Sequence, residues 1–180
     1  MNYLLSGTQT KRLLFREIQW TDFDAWLEFH QDPRTSIHWV WDKKDPETEC
    51  KLWYEKQFNR YAHDKGGMNA LIEKDTGKLV GHCGLLVQTV DDQTELEIGY
   101  SLLPAFWNKG YAAEAATHCR DYAFQQELSE SLISIISLSN TPSQRVAIKN
   151  GMYVDKQTTY AGNAVKIFRI TKADWEARGL

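Results

Sequence analysis

Cysteine is scarce in this chain: Cys50, Cys83 and Cys119 are the only three, and they lie far apart. They are too few and too scattered for a disulfide framework or a zinc site. They are expected as reduced thiols in or near the core, and no metal centre is expected. An excess of charge of one sign is also lacking, since 21 basic and 24 acidic side chains leave a formal net charge of −3. Binding nucleic acid through bulk charge needs a clustered basic face to neutralise phosphates, so no nucleic-acid partner is expected. Long apolar runs are missing too. Residues 131–144 form the longest nearly uncharged stretch and include Ser, Asn and Pro, whereas a membrane span needs ~20 mostly apolar residues. The opening Met1-Asn2-Tyr3-Leu4-Leu5 has no basic stretch followed by an apolar segment and a small-residue cleavage site. The expectation is a cytoplasmic protein with no membrane partner.

What is present is a globular composition. The 180 residues are 42% hydrophobic, within the roughly 100–200 residues of one typical domain. Folding at that length removes about 70% of the chain's surface from water, so one domain spanning 1–180 is expected. Residues 11–18 read as a strand, and Thr21-Asp22 offers an N-cap to a helix carrying Phe23, Trp26, Leu27 and His30. Asp32-Pro33 stops that helix, and Asp45-Pro46 starts another whose apolar face would be Leu52, Trp53, the Lys56 stem, Phe58 and Tyr61. The period then changes to two. Strands over 68–73 and 78–87 flank the turn Lys74-Asp75-Thr76-Gly77, and Asp91-Asp92-Gln93 leads into a third strand over 95–103. A helix over 109–126 presents Ala112, Ala115, Ala116, Cys119, Tyr122 and Ala123 at helical spacing. A buried strand over 132–138 and a short helix over 143–150 closed by Gly151 follow. A hairpin of 152–160 and 165–171 ends the pattern. The order β-α-α-β-β-β-α-β-α-β-β describes an α+β (mixed α/β) fold with a mostly antiparallel sheet flanked by helices on both faces.

The most informative stretch is residues 97–115, where a strand ends at Pro104, a short loop turns, and Gly110 and Ala112 open an amphipathic helix. First-turn amides have no intrahelical partner and carry about half a positive charge from the macrodipole, so they can receive a phosphate. Gly110 permits close backbone approach, and Ala112 leaves space beside it. Neither a Walker lysine motif nor a Gly-x-Gly-x-x-Gly loop is present, which removes the common nucleotide-phosphate loops.

This stretch resembles the pyrophosphate loop of the GNAT acyl-CoA-dependent N-acetyltransferase superfamily, Gln/Arg-x-x-Gly-x-Gly/Ala, which falls on Trp107-Asn108-Lys109-Gly110-Tyr111-Ala112. Trp107 departs from the polar first position. The form seen here looks like the branch that acetylates N-terminal amines of ribosomal proteins. Glu97-Ile98-Gly99-Tyr100 and the series Asn140, Ser143, Arg145, Gly151 are similar to that branch as well. The resemblance runs from Lys11 to Trp175.

The resemblance implies a central, mostly antiparallel seven-stranded sheet with splayed fourth and fifth strands, about four helices, and acetyl-CoA as co-substrate lying in the splay. The pantetheine would pair near Tyr100, Ser101 and Leu102, and the pyrophosphate would rest on the amides of Asn108, Lys109, Gly110, Tyr111, Ala112 and Ala113, with Asn140 and Ser143 also on the cofactor side. Direct attack by the amine needs a base and an acid. Glu97 is the candidate base, with Glu95 on the same strand face as the rival or as a contact for the cationic acceptor. Many members place a tyrosine seven residues after the motif asparagine, where this chain has Ala147. Ser143 becomes the candidate acid, with Tyr153 second. Family analogy puts the acceptor pocket under Ile37-His38-Trp39-Val40-Trp41, so His38, Trp39 and Trp41 are candidate substrate contacts, with residues 160–165 opposite.

Acceptor chemistry contributes a magnitude. An α-amine of pKa about 7.8 needs about 1 kcal/mol to lose its proton at pH 7, against nearly 5 kcal/mol for a lysine at about 10.4. With one modest base visible, a peptide N-terminus is favoured. A small amine such as a polyamine or antibiotic, or a non-catalytic CoA-binding module, are the alternatives, and a homodimer is left open.

Overall fold

The computed structural model describes residues 3–179; Met1 and Asn2 of the N-terminal stretch read above, and Leu180, lie outside the described residues. Seven strands form one sheet: β1 (Leu13–Glu17), β2 (Gly66–Glu73), β3 (Leu79–Val90), β4 (Gln93–Leu102), β5 (Ser131–Ser137), β6 (Tyr153–Tyr160) and β7 (Asn163–Thr171). They lie in the order β1-β2-β3-β4-β5-β7-β6. Every neighbouring pair is antiparallel except β4–β5. The helices are α1 (Phe23–Gln31), α2 (Pro46–Ala62), α3 (Tyr111–Gln125), α4 (Thr141–Lys149) and α5 (Lys172–Ala177).

The sheet separates two cores. On one face Leu85, Leu96, Ile98, Leu132 and Phe168 pack with Ala115, Ala116, Cys119 and Phe124 of α3 and Ala147 of α4. On the other, Trp26 of α1 and Cys50 and Tyr54 of α2 cover Ile18, Ala70 and Leu79. A third cluster, Val90, Ile133, Ile135, Val165 and Ile167, packs with Trp39 and Tyr160. All three cysteines are buried and free, which agrees with reduced core thiols; the Cys83 and Cys119 sulfurs are 3.5 Å apart.

Several boundaries differ from the sequence reading, each for a local reason. The α3 helix begins at Tyr111 rather than 109, because Gly110 is its N-cap in the left-handed region at φ +82°. The α4 helix begins at Thr141 rather than 143, since the Asn140 side chain caps it by accepting from the Ser143 amide at 3.1 Å. Ser143 therefore lies inside the first turn. Among the described residues there are five α-helices, against about four expected. The fifth is a short element started by a capping box between Thr171 and Asp174, with Trp175 packed on Phe124 at 5.5 Å. The buried face of α2 is Cys50, Tyr54, Gln57 and Arg60, whereas Leu52 is 43% exposed. Gln57 accepts from the Met68 amide and Arg60 donates to the Lys65 and Val87 carbonyls, so this face is made partly of polar side chains that hydrophobic spacing cannot register.

The feature that positions the site is the β4–β5 pair. β3 stays paired with β4 as far as Gly81↔Leu102, but β4 and β5 share only the register Glu97↔Ile133. Beyond that point the strands part, as the expected splay requires. The Ser134 hydroxyl reaches the Ile98 carbonyl at 2.8 Å, a side chain closing the gap where a ladder bond would otherwise lie.

Candidate active site

The loop after β4 is shaped for an anion. A 3-10 turn over Pro104–Phe106 is followed by Trp107, whose indole N–H donates to the Leu102 carbonyl at 2.8 Å. Trp107 thus ties the loop back to the end of β4. Asn108 and Gly110 both take positive φ, +60° and +82°, a backbone conformation found in anion-binding loops. From Asn108 to Ala113 the backbone amides meet no acceptor among the described residues; the first helical bond is Glu114 N to the Gly110 carbonyl at 3.1 Å. As at any helix start, these amides are free to receive an acceptor from outside the helix.

The first turn of α3 is braced from below. Glu114 accepts from the Thr10 hydroxyl at 2.6 Å, the Arg12 amide at 2.9 Å and Arg12 Nε at 2.6 Å. Burial alone would raise its pKa, but those hydrogen bonds hold the carboxyl below its ordinary value. Arg12 also donates to the Lys109 carbonyl at 2.9 Å and lies over the Tyr111 ring at 4.0 Å. With Glu114 neutralised by Arg12, the amides keep their positive potential. Of the residues expected at the pyrophosphate, Asn108, Lys109 and Gly110 are exposed, while Ala112 and Ala113 are half-buried. The Tyr111 side chain turns inward, buried and donating to Glu73, so it can offer only its backbone.

Glu97 sits at the apex of the wedge. Its Oε2 accepts from Gln88 Nε2 at 2.7 Å, and a backbone hydrogen bond reaches it from Ile135 of β5. Burial pushes its pKa up, with Gln88, Ile135, Arg60 and Lys56 opposing in that order. A carboxyl raised by burial is a better proton acceptor than an ordinary one. Glu95, two residues away on the same face, differs from the sequence expectation of a rival base or free acceptor contact. Arg169 of β7 grips both its oxygens, at 3.1 and 2.6 Å, and Arg169 also binds Asp155 at 2.9 Å. A carboxylate held in such a fork is committed to the cation and cannot serve as a mobile base.

On the opposite face of β4, Tyr100 and Ser143 meet. The Tyr100 hydroxyl donates to the Ser143 carbonyl at 2.8 Å and accepts from the Ser143 hydroxyl at 3.1 Å. Burial pushes the Tyr100 pKa up. The sequence reading gave Tyr100 only a cofactor contact and so missed this hydroxyl pair; a tyrosine on the outgoing strand was the one signal available. Ala147 is buried in the core against α3. Tyr153, the second candidate acid, is not brought to this pair: it is 44% exposed on edge strand β6 opposite Arg169, with β7 and β5 between it and β4. Ser101 lies across from His82 on the Glu97 face, and Leu102 is buried with its carbonyl taken by Trp107.

The segment joining α1 and α2 is fastened over the sheet. His38 Nδ1 lies 2.9 Å from the Ser139 hydroxyl, and Val40 exchanges hydrogen bonds with the Asn163 side chain at 2.7 and 3.0 Å. Trp39 packs inward on the Ile133–Ile167 cluster, whereas Trp41 is 41% exposed with the Lys43 ammonium 5.0 Å from its ring. Of the three expected acceptor contacts, Trp39 is thus packed inward, Trp41 is exposed, and His38 anchors the segment. Among the described residues no group of side chains is arranged to hold a metal ion, and no helix is long and apolar enough to cross a membrane.

Residues 12–153 match the acetyltransferase (GNAT) domain family. The uncharacterized N-acetyltransferase YnaD of Bacillus subtilis is 31% identical over 143 residues, covering 79% of this chain and 80% of that protein. The uncharacterized protein YkkB of the same organism is 40% identical over 97 residues, and that match spans 52% of this chain and 56% of YkkB. Among solved structures, the acetyltransferase from Agrobacterium tumefaciens superposes with a TM-score of 0.76 at 23% identity, covering 94% and 96% of the two chains. The ribosomal-protein-S5-alanine acetyltransferase of Vibrio fischeri gives 0.70 at 16%, covering 93% and 97%. The spermidine N-acetyltransferase of Vibrio cholerae, solved with CoA and spermine, gives 0.72 at 14%, covering 93% and 99%. At these identities the structural likeness carries the fold.

Proposed function

The chain belongs to the acetyltransferase (GNAT) domain family, of acetyl-CoA-dependent acyltransferases, and from that premise we propose that it acetylates the free α-amine of a polypeptide N-terminus. The observation that carries the reading is the wedge itself. A partly buried carboxylate, Glu97, lies on one face of β4 and the Tyr100–Ser143 hydroxyl pair on the other, and the wedge leads to a loop of unpaired amides.

Acetyl-CoA supplies an activated thioester. The amides of Asn108 to Ala113 hold its pyrophosphate, and their lack of protein partners supports that fit. Glu97, directly or through water, takes the proton that the incoming ammonium must lose before its nitrogen can attack. Ser143, backed by Tyr100, offers a hydroxyl proton to the departing sulfur. A thiol of pKa about 8.5 leaves moderately well, so a hydrogen bond there suffices. Three carboxylates are already committed, Glu95 and Asp155 to Arg169 and Asp91 to Lys156, which leaves fewer to receive a polyamine. Exposed Ile37, Val40 and Trp41 offer an apolar rim instead.

Release of free CoA thiol from acetyl-CoA tests the reading. Turnover is expected with peptides bearing a free N-terminus and not with the same peptides N-acetylated but retaining lysine. Turnover with spermidine and none with peptides would transfer the assignment to small amines. Binding of acetyl-CoA without thiol release to any amine would make the chain a CoA-binding module.

A further inference from the structure

The β3–β4 hairpin arches over β5 and β7 and is fastened to the far edge of the sheet. At its tip Asp91 binds Lys156 at 2.7 Å and the Thr158 hydroxyl at 2.8 Å, both on β6. One step inward, the Tyr160 hydroxyl donates to Gln88 Oε1 at 3.2 Å, and Gln88 Nε2 donates to Glu97 Oε2 at 2.7 Å. A primary amide has one donor end and one acceptor end. An ionised carboxylate only accepts, so Gln88 must turn its NH2 to Glu97 and its oxygen to a donor, and Tyr160 is that donor. With the amide turned this way each link suits an ionised Glu97, and a proton on Oε2 would face the Gln88 donor where it needs an acceptor.

We infer that Gln88 and Tyr160 are positioning residues for Glu97, holding its carboxylate in the ionised, proton-accepting form at the apex of the wedge. The inference rests on the reading of Glu97 as the base and adds what sets its protonation. Other charges face the carboxylate. Arg60 and Lys56 of α2 favour its ionised form. The Tyr160 and Tyr100 hydroxyls stand near it from β6 and β4. Glu95, farther along β4, is neutralised by Arg169 of β7. Arg60 is itself held by the Lys65 and Val87 carbonyls, so it supplies field without touching the carboxylate. Gln88 is the side-chain donor in contact.

Tyr160 also precedes the Ala161-Gly162 turn and Asn163, whose side chain holds Val40 of the acceptor segment. The same turn therefore carries the outer end of the Gln88 chain and the anchor of that segment.

The experiment is a pH titration of the Glu97 carboxyl carbon by NMR in the full chain labelled at glutamate, with Glu97→Gln assigning the resonance. Gln88→Leu is expected to raise the Glu97 pKa by about one unit, the size of one lost hydrogen bond to a charged group. Tyr160→Phe is expected to raise it by less, with melting temperature little changed. An unmoved Glu97 titration in both variants overturns the inference. The base reading is tested separately: if Glu97→Gln keeps the acidic limb of the pH profile for thiol release with an alanyl peptide, that reading fails, whatever the titration shows.

Discussion

Tyr100 and Ser143 hold one another twice across the open side of the wedge, hydroxyl to carbonyl at 2.8 Å and hydroxyl to hydroxyl at 3.1 Å. Residues 43 positions apart are thus joined, and the Ser143 hydroxyl can turn from Tyr100 toward a sulfur by rotation about one bond. Tyr100 lies on β4 and Ser143 in the first turn of α4, so the pair ties the strand to the helix.

Ser143→Ala is expected to lower turnover by about tenfold to a thousandfold, the range of one hydrogen-bond donor lost at a transition state. Tyr100→Phe should fall in the same range. The double variant should be no worse than the worse single one, because groups acting as a unit are not additive. Steady-state thiol release with a fixed acceptor peptide measures all three. A larger loss from Tyr153→Phe than from Ser143→Ala, at equal stability, would move the donor to β6.

Glu97 and Glu95 should separate cleanly. Glu97→Gln is expected to reduce turnover by about 10²–10⁴ with acetyl-CoA affinity preserved. Glu95→Gln is expected to keep most activity and instead lose about 1 kcal/mol of stability, a few degrees of melting temperature, because it breaks the half-buried fork with Arg169. Equal kinetic losses would overturn the distinction.

Gly110 is required by backbone conformation rather than by space. A Cβ there would meet nothing closer than Arg12 at 3.5 Å, but φ is +82°. Gly110→Ala is therefore expected to cost about 1–2 kcal/mol. It should also shrink the rise in melting temperature on adding acetyl-CoA, which for the native chain at about 100 times Kd corresponds to about 2.7 kcal/mol. Thermal melts with and without acetyl-CoA read both effects; no ligand-induced rise in the native chain would remove the anion-loop assignment.

His82 predicts the acid limit of stability. It is fully buried against Trp26 and Trp53, ring centroids 4.2 and 4.6 Å away, and neither ring nitrogen has a hydrogen-bond partner among the described residues. Burial pushes its pKa down to about 3, and His30 and His118 are lowered for the same reason. The folded state disfavours protonating these rings, while the unfolded chain takes up protons below about pH 6.5. The His82 contribution is complete above that pH and falls progressively as pH drops toward 3. Urea midpoints across pH 4–7 should decline toward acid, and His82→Leu should flatten the decline. An unchanged slope would mean that other groups set the limit.

Local physics made much of this protein legible before any fold was known. Alternation marked the hairpins, helical spacing marked α3, and Gly110 marked the loop that opens it, because each depends on residues within a turn or a strand of one another. The short α5 escaped because six residues hold too little periodicity, and the buried face of α2 escaped because Gln57 and Arg60 are satisfied by distant backbone groups. The sequence ranked Glu97 over Glu95 by its place beside Ile98-Gly99-Tyr100, but it could not show that Glu95 is held by Arg169, which comes within reach of β4 only because β7 pairs with β5. The Glu97–Gln88–Tyr160 chain and the Tyr100–Ser143 pair have the same origin. Sheet order and the parting of β4 from β5 set which distant side chains share a face, and a hydrogen bond exists only where that geometry brings donor and acceptor within about 3 Å.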